Sequence, residues 1–168
     1  IVLEQLQQRQ FPYQRLKLLA SERSVGKEVR VGDQTLKIEL LAPGAFEDVD
    51  LVIASTPDEV SADFCKWAVD EGAVVVDESG YWRMDPKVPL VVPEVNPEAV
   101  DGHGGILASP NCSTTQMVVA LAPLHRAARV RRVVVSTYQA TSGAGIAGNE
   151  ELEQSCLLYT SPSPRDTA

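Results

Sequence analysis

The sequence has no run of lysine and arginine and no basic patch interleaved with aromatics. Its 15 Lys and Arg stand against 23 Asp and Glu, a net charge of -8, and aromatics make up only 5% of it. That balance repels a phosphate backbone and excludes nucleic acid as an expected partner. No apolar run approaches the ~20 residues that cross a bilayer. The opening stretch IVLEQLQQRQ also lacks the charged-then-apolar order of a secretory signal. The expected compartment is therefore the cytoplasm, with no membrane partner. Cysteine is scarce: residues 65, 112 and 156 form neither a CxxC pair nor a paired framework, which fits thiols kept reduced. No metal site is expected. An initiator methionine is absent too, and Ile1 already lies in a helical pattern with Val2, Leu3 and Leu6, so the chain is expected to be cut at its start.

What is present is enough apolar residue, 44% of 168, to bury one sizeable core. After the first helix, ending near Arg9, the FPYQ turn leads to RLKLLAS, an apolar strand closing on the polar cluster SERSVGK. EVRVGDQTLKIEL holds two alternating runs around Gly32-Asp33, which predict a hairpin. VDLVIAST reads as a strand buried on both faces, DEVSADFCKWAVDEG has helical period, and AVVVDES is a second buried strand. PLVVPEV and GGILAS extend the pattern. CSTTQMVVALAPLHRAA follows as a helix, and VRRVVVSTYQ reads as a long strand. Pro123 removes one backbone donor from that helix, so a kink or break is expected there. The alternation of strand and helix predicts an α/β fold, a doubly wound, Rossmann-like parallel sheet.

Cysteine 112 stands in ASPNCSTTQMVV, where a loop turns into a helix. Cys65, in SADFCKWAV, falls instead on an apolar helical face. A sulfur at a helix start lies beside amide N–H groups at the positive end of the dipole, a setting that favours the nucleophilic form of a thiol. Such a thiol attacks an acyl carbon, and the same amides stabilise the oxyanion that forms. Packing is the competing explanation, and the setting alone leaves the two about even.

Four segments decide between them. SPNCSTTQMVVALAPLH, RVVVSTYQATSGAG, YWRMDPKVPLVVPEVNP and LLASERSVGK occur in the order and spacing of aspartate-semialdehyde dehydrogenase, and the chain resembles that family from about Ile1 to Gln154. The resemblance implies reduction of L-aspartyl-4-phosphate by NADPH to L-aspartate 4-semialdehyde, with release of phosphate, in the biosynthesis of lysine, threonine and methionine. It makes Cys112 the nucleophile that carries the acyl group as a thioester. Arg83 in YWRMDP matches the family arginine that holds the substrate phosphate, a task suited to a planar cation with paired donors. Gln139 in STYQ matches a substrate-orienting glutamine. Asn111 either orients the acyl group or simply shapes the turn before the helix. Arg23 and Ser24 follow the RLKLLAS strand where NAD-binding folds usually carry an acidic ribose ligand, and a basic, hydroxyl-bearing loop there suits the 2'-phosphate of NADP, although Glu22 works against it. Ser142 and Gly143 in TSGAG match the nicotinamide-side contact.

The resemblance also implies a division into an incomplete NADP-binding domain with first strand missing (1–128), the start of an α/β catalytic and dimerisation domain (129–154), and a tail. The full-length family protein is expected to be a homodimer. Glu78-Ser79-Gly80 stands where the family has Asn-Ser-Ser, and Ser55-Thr56-Pro57 where it has Ser-Ala-Gly, so the resemblance assigns no nicotinamide contact there. The glycine-rich phosphate turn would precede Ile1. The tail, 155–168, contains CLLYTSPSPRD, which is similar to the translation of a transposon-type sequencing adapter and is expected to be non-native. The family's histidine base and carboxylate-binding arginine have no counterpart, and neither His103 nor His125 is expected to replace the base, so this length of chain is expected to be inactive. Two rivals remain: a non-catalytic relative of the same fold, and a sister acyl-phosphate reductase whose cysteine context would differ from PNCST.

Overall fold

The computed structural model describes residues 2–159. It divides into two compact units, Ile1–Arg129 and Val130–Ala168. The expected tail lies outside the described residues from 160 onward.

The first unit opens with α1 (Val2–Gln8), followed by β1 (Leu18–Ala20), a 3-10 turn (Glu22–Ser24), β2 (Glu28–Val31), β3 (Gln34–Leu40) and β4 (Leu51–Ala54). Next come α2 (Asp58–Asp70), β5 (Val74–Asp77), β6 (Ile106–Ala108) and α3 (Cys112–Ala128). The hairpin read around Gly32-Asp33 is β2 and β3, paired antiparallel with Val31 opposite Gln34. Gly32 takes φ +59° there, a conformation that costs other residues strain. β1 lies parallel to β3, and β4, β5 and β6 form a second parallel set in that order.

This is the Rossmann-like α/β architecture the sequence predicts, with one difference. The described strands form two three-stranded sheets, β1-β3-β2 and β4-β5-β6, instead of one. Among the described residues β1 and β4 each keep one unpaired edge, so no ladder joins the two sets.

The core sits between α2 and the β4-β5-β6 sheet. Ser61, Phe64, Cys65 and Ala68 are the buried residues of α2, a spacing of three and four that makes one stripe down the helix. Phe64, Cys65 and Ala68 meet Ala54, Val75, Ile106 and Ala108 from the strands, with Phe46, Ala73 and Trp82 completing the cluster. Burying a side chain the size of Phe64 contributes ~1.5–3 kcal/mol. Glu71, just past α2, accepts the backbone N–H groups of Gly44 at 2.7 Å and Phe46 at 2.8 Å. That grip holds the Phe46 ring against Phe64, with centroids 6.1 Å apart.

Three local expectations change. PLVVPEV forms no strand and touches the sheet through a single bridge, Leu90 to Ala108; its prolines, 89 and 93, lack the N–H donors a ladder needs. The helix does not break at Pro123, and α3 runs through it as one element, since a proline there removes only one rung of the ladder. In the second unit VRRVVVSTYQ is not a strand. Residues 130–140 carry no regular structure, with Val134 83% exposed and Tyr138 fully so. A β-branched run becomes a strand only by pairing, and no described strand pairs with it. A 3-10 turn (Thr141–Ala144) then leads into α4 (Gly145–Tyr159). Among the described residues no helix is long and apolar enough to cross a membrane.

Candidate active site

Parallel pairing brings the carboxyl ends of β4, β5 and β6, at Ala54, Asp77 and Ala108, to one edge of the sheet. Ligands of α/β sheets bind at such an edge. Two loops leave it side by side: Glu78 to Arg83 from β5, and Ser109 to Asn111 from β6. They are tied at their base, where the N–H of Ser109 donates to the carbonyl of Asp77 at 2.8 Å.

Arg83 ties them again. Its Nε donates to the Ser109 carbonyl at 2.8 Å and its Nη2 to the Glu78 carbonyl at 2.7 Å. Those bonds use only part of the guanidinium's donor set. The half-buried cation is thus anchored to the segment that runs, three residues later, into Cys112.

Cys112 is the first residue of α3 and is exposed. Asn111 is the N-cap: its Oδ1 accepts the Thr114 N–H at 2.7 Å, and its backbone carbonyl accepts that of Thr115 at 3.0 Å. Capping explains an asparagine here by itself. Because Thr114 is taken by the cap, the first-turn amides nearest the nucleophile position are those of Cys112 and Ser113. Cys65 is the contrasting thiol. It is fully buried, and burial pushes its pKa up from the ordinary 9.0, with the Asp77 charge adding to the rise and hydrogen bonds from Ser61 and Trp82 opposing it.

Asp77 is the residue that sequence reading missed. Strand alternation turns it to the same face as Val75, which buries its carboxyl completely. Ser61 Oγ donates to Oδ1 at 2.7 Å, while the N–H of Ser79, at 3.1 Å, and its Oγ both donate to Oδ2. Trp82 Nε1 donates to Ser61 Oγ at 3.2 Å. The available signal was an acid closing an apolar strand with a serine two residues on, the pattern of a side chain bonding its own backbone.

The cofactor residues are separately placed. Arg23, exposed, and Ser24, half-buried, lie in the 3-10 turn after the carboxyl end of β1, with Glu22 exposed beside them. One cation and one hydroxyl at a strand end fit a phosphate in chemical kind. In the second unit Gln139 is exposed in the irregular segment, and Ser142 and Gly143 lie in the 3-10 turn before α4. A Cβ on Gly143 would meet no atom within 4 Å, which leaves open space over that backbone. At the end of β4, Thr56 Oγ1 is buried with no hydrogen-bond partner among the described residues. His103 Nδ1 accepts the N–H of Gly105 at 3.0 Å, a local loop bond, and His125 is exposed in the last turn of α3. Among the described residues no group of three or more His, Cys, Asp or Glu side chains could hold a metal ion.

Comparison with known proteins gives two family matches. Residues 1–103 match the semialdehyde dehydrogenase NAD binding domain, and residues 121–166 match the semialdehyde dehydrogenase dimerisation domain. An aspartate-semialdehyde dehydrogenase from Prochlorococcus marinus is 48% identical over 153 residues, covering 91% of this chain and 45% of that relative. Aspartate semialdehyde dehydrogenase II from Vibrio cholerae, solved complexed with ASA, has TM-score 0.86 and 43% identity over 96% of this chain and 49% of that one. The Candida albicans aspartate semialdehyde dehydrogenase solved with NADP has TM-score 0.60 and 29% identity, covering 70% of this chain and 40% of that one. The chain thus spans about half the length of the relatives it matches.

Proposed function

Since this chain belongs to the semialdehyde dehydrogenase family, we propose that it supplies the cofactor-binding part and the acyl-accepting thiol of a cytoplasmic, homodimeric aspartate-semialdehyde dehydrogenase. The reaction is NADPH-dependent reduction of L-aspartyl-4-phosphate to L-aspartate 4-semialdehyde with release of phosphate, a step toward lysine, threonine and methionine. The observation that carries this reading is the pair of hydrogen bonds from Arg83 to the Glu78 and Ser109 carbonyls. They hold a cation of the type that binds phosphoryl oxygens beside the loop that presents Cys112.

In this reading the Cys112 sulfur attacks the acyl carbon of the bound substrate. Negative charge collects on the carbonyl oxygen, where first-turn amides of α3 offset it. The C–O bond to phosphate then breaks, and phosphate departs against Arg83, leaving a thioester on Cys112. NADPH would be held through its 2'-phosphate by Arg23 and Ser24, with Ser142 and Gly143 matching the family's nicotinamide-side contact, and would supply the hydride that reduces the thioester. The resulting thiohemiacetal collapses, the C–S bond breaks, and the aldehyde leaves. Asn111 would help to orient the acyl group beyond its cap, and Gln139 matches the family's substrate-orienting glutamine. The division at about residue 128 belongs to the same proposal, with 129–154 opening the dimerisation part and 155–168 a non-native tail.

The test is phosphate-dependent reduction of NADP with aspartate semialdehyde, run on a protein of the relatives' full length that carries this sequence. Turnover that Cys112→Ser abolishes is expected. Silence in a folded protein would favour a non-catalytic relative. The same assay on the 168-residue chain is expected to read no turnover, and activity there would overturn the assignment of essential groups to the remainder.

A further inference from the structure

We propose that Asp77 is a positioning residue that sets Arg83 and the start of the Cys112 helix in one frame, acting from the core without touching substrate. The inference rests on the reading of Arg83 as the phosphate-holding group and extends it to what aims that group.

A carboxyl group is costly to bury, and an apolar residue in its place would pack the core at less expense. Asp77 is nonetheless fully buried; Ser61 and Cys65 of α2 donate to Oδ1, and Oδ2 is held by the loop that follows the strand. The N–H of Ser79 closes a turn onto Oδ2, and Ser79 Oγ, while donating to the same oxygen, accepts the Tyr81 N–H at 3.2 Å. Ser61 Oγ links Oδ1 to the indole of Trp82, the residue immediately before Arg83. The side chain of Asp77 thus determines the path of residues 78 to 82. Its main chain does the complementary task, since its carbonyl receives the Ser109 N–H. Ser109 and Glu78 then present the two carbonyls that grip the guanidinium. Two residues beyond Ser109, Asn111 caps the helix that begins at Cys112. Removing the carboxyl leaves the ladder bonds in place and releases the loop that carries Arg83, along with the bonds that Ser61 and Cys65 make from α2.

The experiment uses the 168-residue chain and Asp77→Asn, with two readouts. One is hydrogen exchange of the Arg83 Nε–H by NMR, its signal assigned by its disappearance in Arg83→Lys. The other is the affinity for inorganic phosphate, by titration. A folded Asp77→Asn chain is expected to lose the protected Nε–H signal and to bind phosphate about tenfold more weakly. Adding Asp77→Asn to Arg83→Ala should weaken phosphate no further, as required of residues acting through one another. An unchanged Nε–H signal overturns the proposal, as does unchanged phosphate affinity in Asp77→Asn where Arg83→Ala weakens it. If Arg83→Ala itself leaves phosphate binding unchanged, the phosphate reading falls, while the Nε–H signal still decides the positioning claim. Should Asp77→Asn fail to fold, Ser79→Ala, which removes one donor to the carboxyl, decides by the same two signals.

Discussion

Asp58 Oδ1 accepts the backbone N–H of Gly80 at 2.7 Å, and a Cβ on Gly80 would lie 2.9 Å from the other oxygen of that carboxyl. The glycine in Glu78-Ser79-Gly80, a departure from the pattern the chain resembles, is thus coupled to an acid in the first turn of α2. Gly80→Ala forces the Asp58 side chain to swing away and give up its bond. A loss of about 0.5–1.5 kcal/mol in unfolding free energy is expected. In an Asp58→Ala background the same substitution should be close to neutral, because the contact it breaks is already gone. Denaturant melts of the four chains check this, and additive losses would show that Gly80 answers to something other than Asp58.

The buried thiol of Cys65 links stability to alkaline pH. Below its ordinary value of 9.0 the thiol is protonated in both folded and unfolded chains, so it adds no pH dependence. Above that value the unfolded chain releases the proton while the buried group, its pKa pushed up mainly by burial, keeps it. The unfolded state then binds fewer protons and is favoured, and stability falls as pH rises toward the folded-state value. Cys65→Ser should remove that part of the slope. Melting midpoints of both chains between pH 7 and about 10.5 test it, and parallel curves would count against the shift.

Exposure separates the two thiols at neutral pH as well. Cys112 is exposed at the start of α3, whereas Cys65 is fully buried. Reagent reaches Cys65 only through opening of the core. At an opening free energy of ~5 kcal/mol, Cys112 should alkylate faster by roughly three to four orders of magnitude. Site-resolved mass spectrometry of iodoacetamide labelling measures the ratio, and comparable rates would mean that α2 opens far more easily than its packing implies.

Much of this was legible in the residues because it is local. Alternation in EVRVGDQTLKIEL and the apolar runs flanking DEVSADFCKWAVDEG depend on spacing alone, and β2, β3, β4, α2 and β5 follow them. The start of α3 was legible too, since Asn111 carries its capping chemistry in its side chain. VRRVVVSTYQ misled for the opposite reason: strand character belongs to a pair of segments, and a β-branched run says nothing of whether a neighbour is present. Asp77 was opaque because its meaning depends on Ser61, 16 positions away, and on Trp82. Arg83 was found by resemblance, yet the carbonyls that hold it are backbone groups that any residue would supply.

Arg23 offers a test of cofactor choice that does not depend on turnover. It lies exposed in the 3-10 turn after β1, and Glu22 in the same turn is its nearest opposing charge in sequence. If that turn receives the 2'-phosphate of NADPH, Arg23→Ala removes a charge-assisted hydrogen bond that NADH never makes. The exposed setting limits the effect, so about a five- to tenfold weakening of NADPH binding is expected, with NADH almost unchanged. Glu22→Gln should act in the opposite direction, tightening NADPH by relieving repulsion of the dianion, and both effects should shrink as salt is added. Fluorescence titrations of the two nucleotides, on a protein of the relatives' full length that carries this sequence, measure all of these quantities. Equal weakening of both cofactors by Arg23→Ala would mean that the residue shapes the turn and does not read the phosphate.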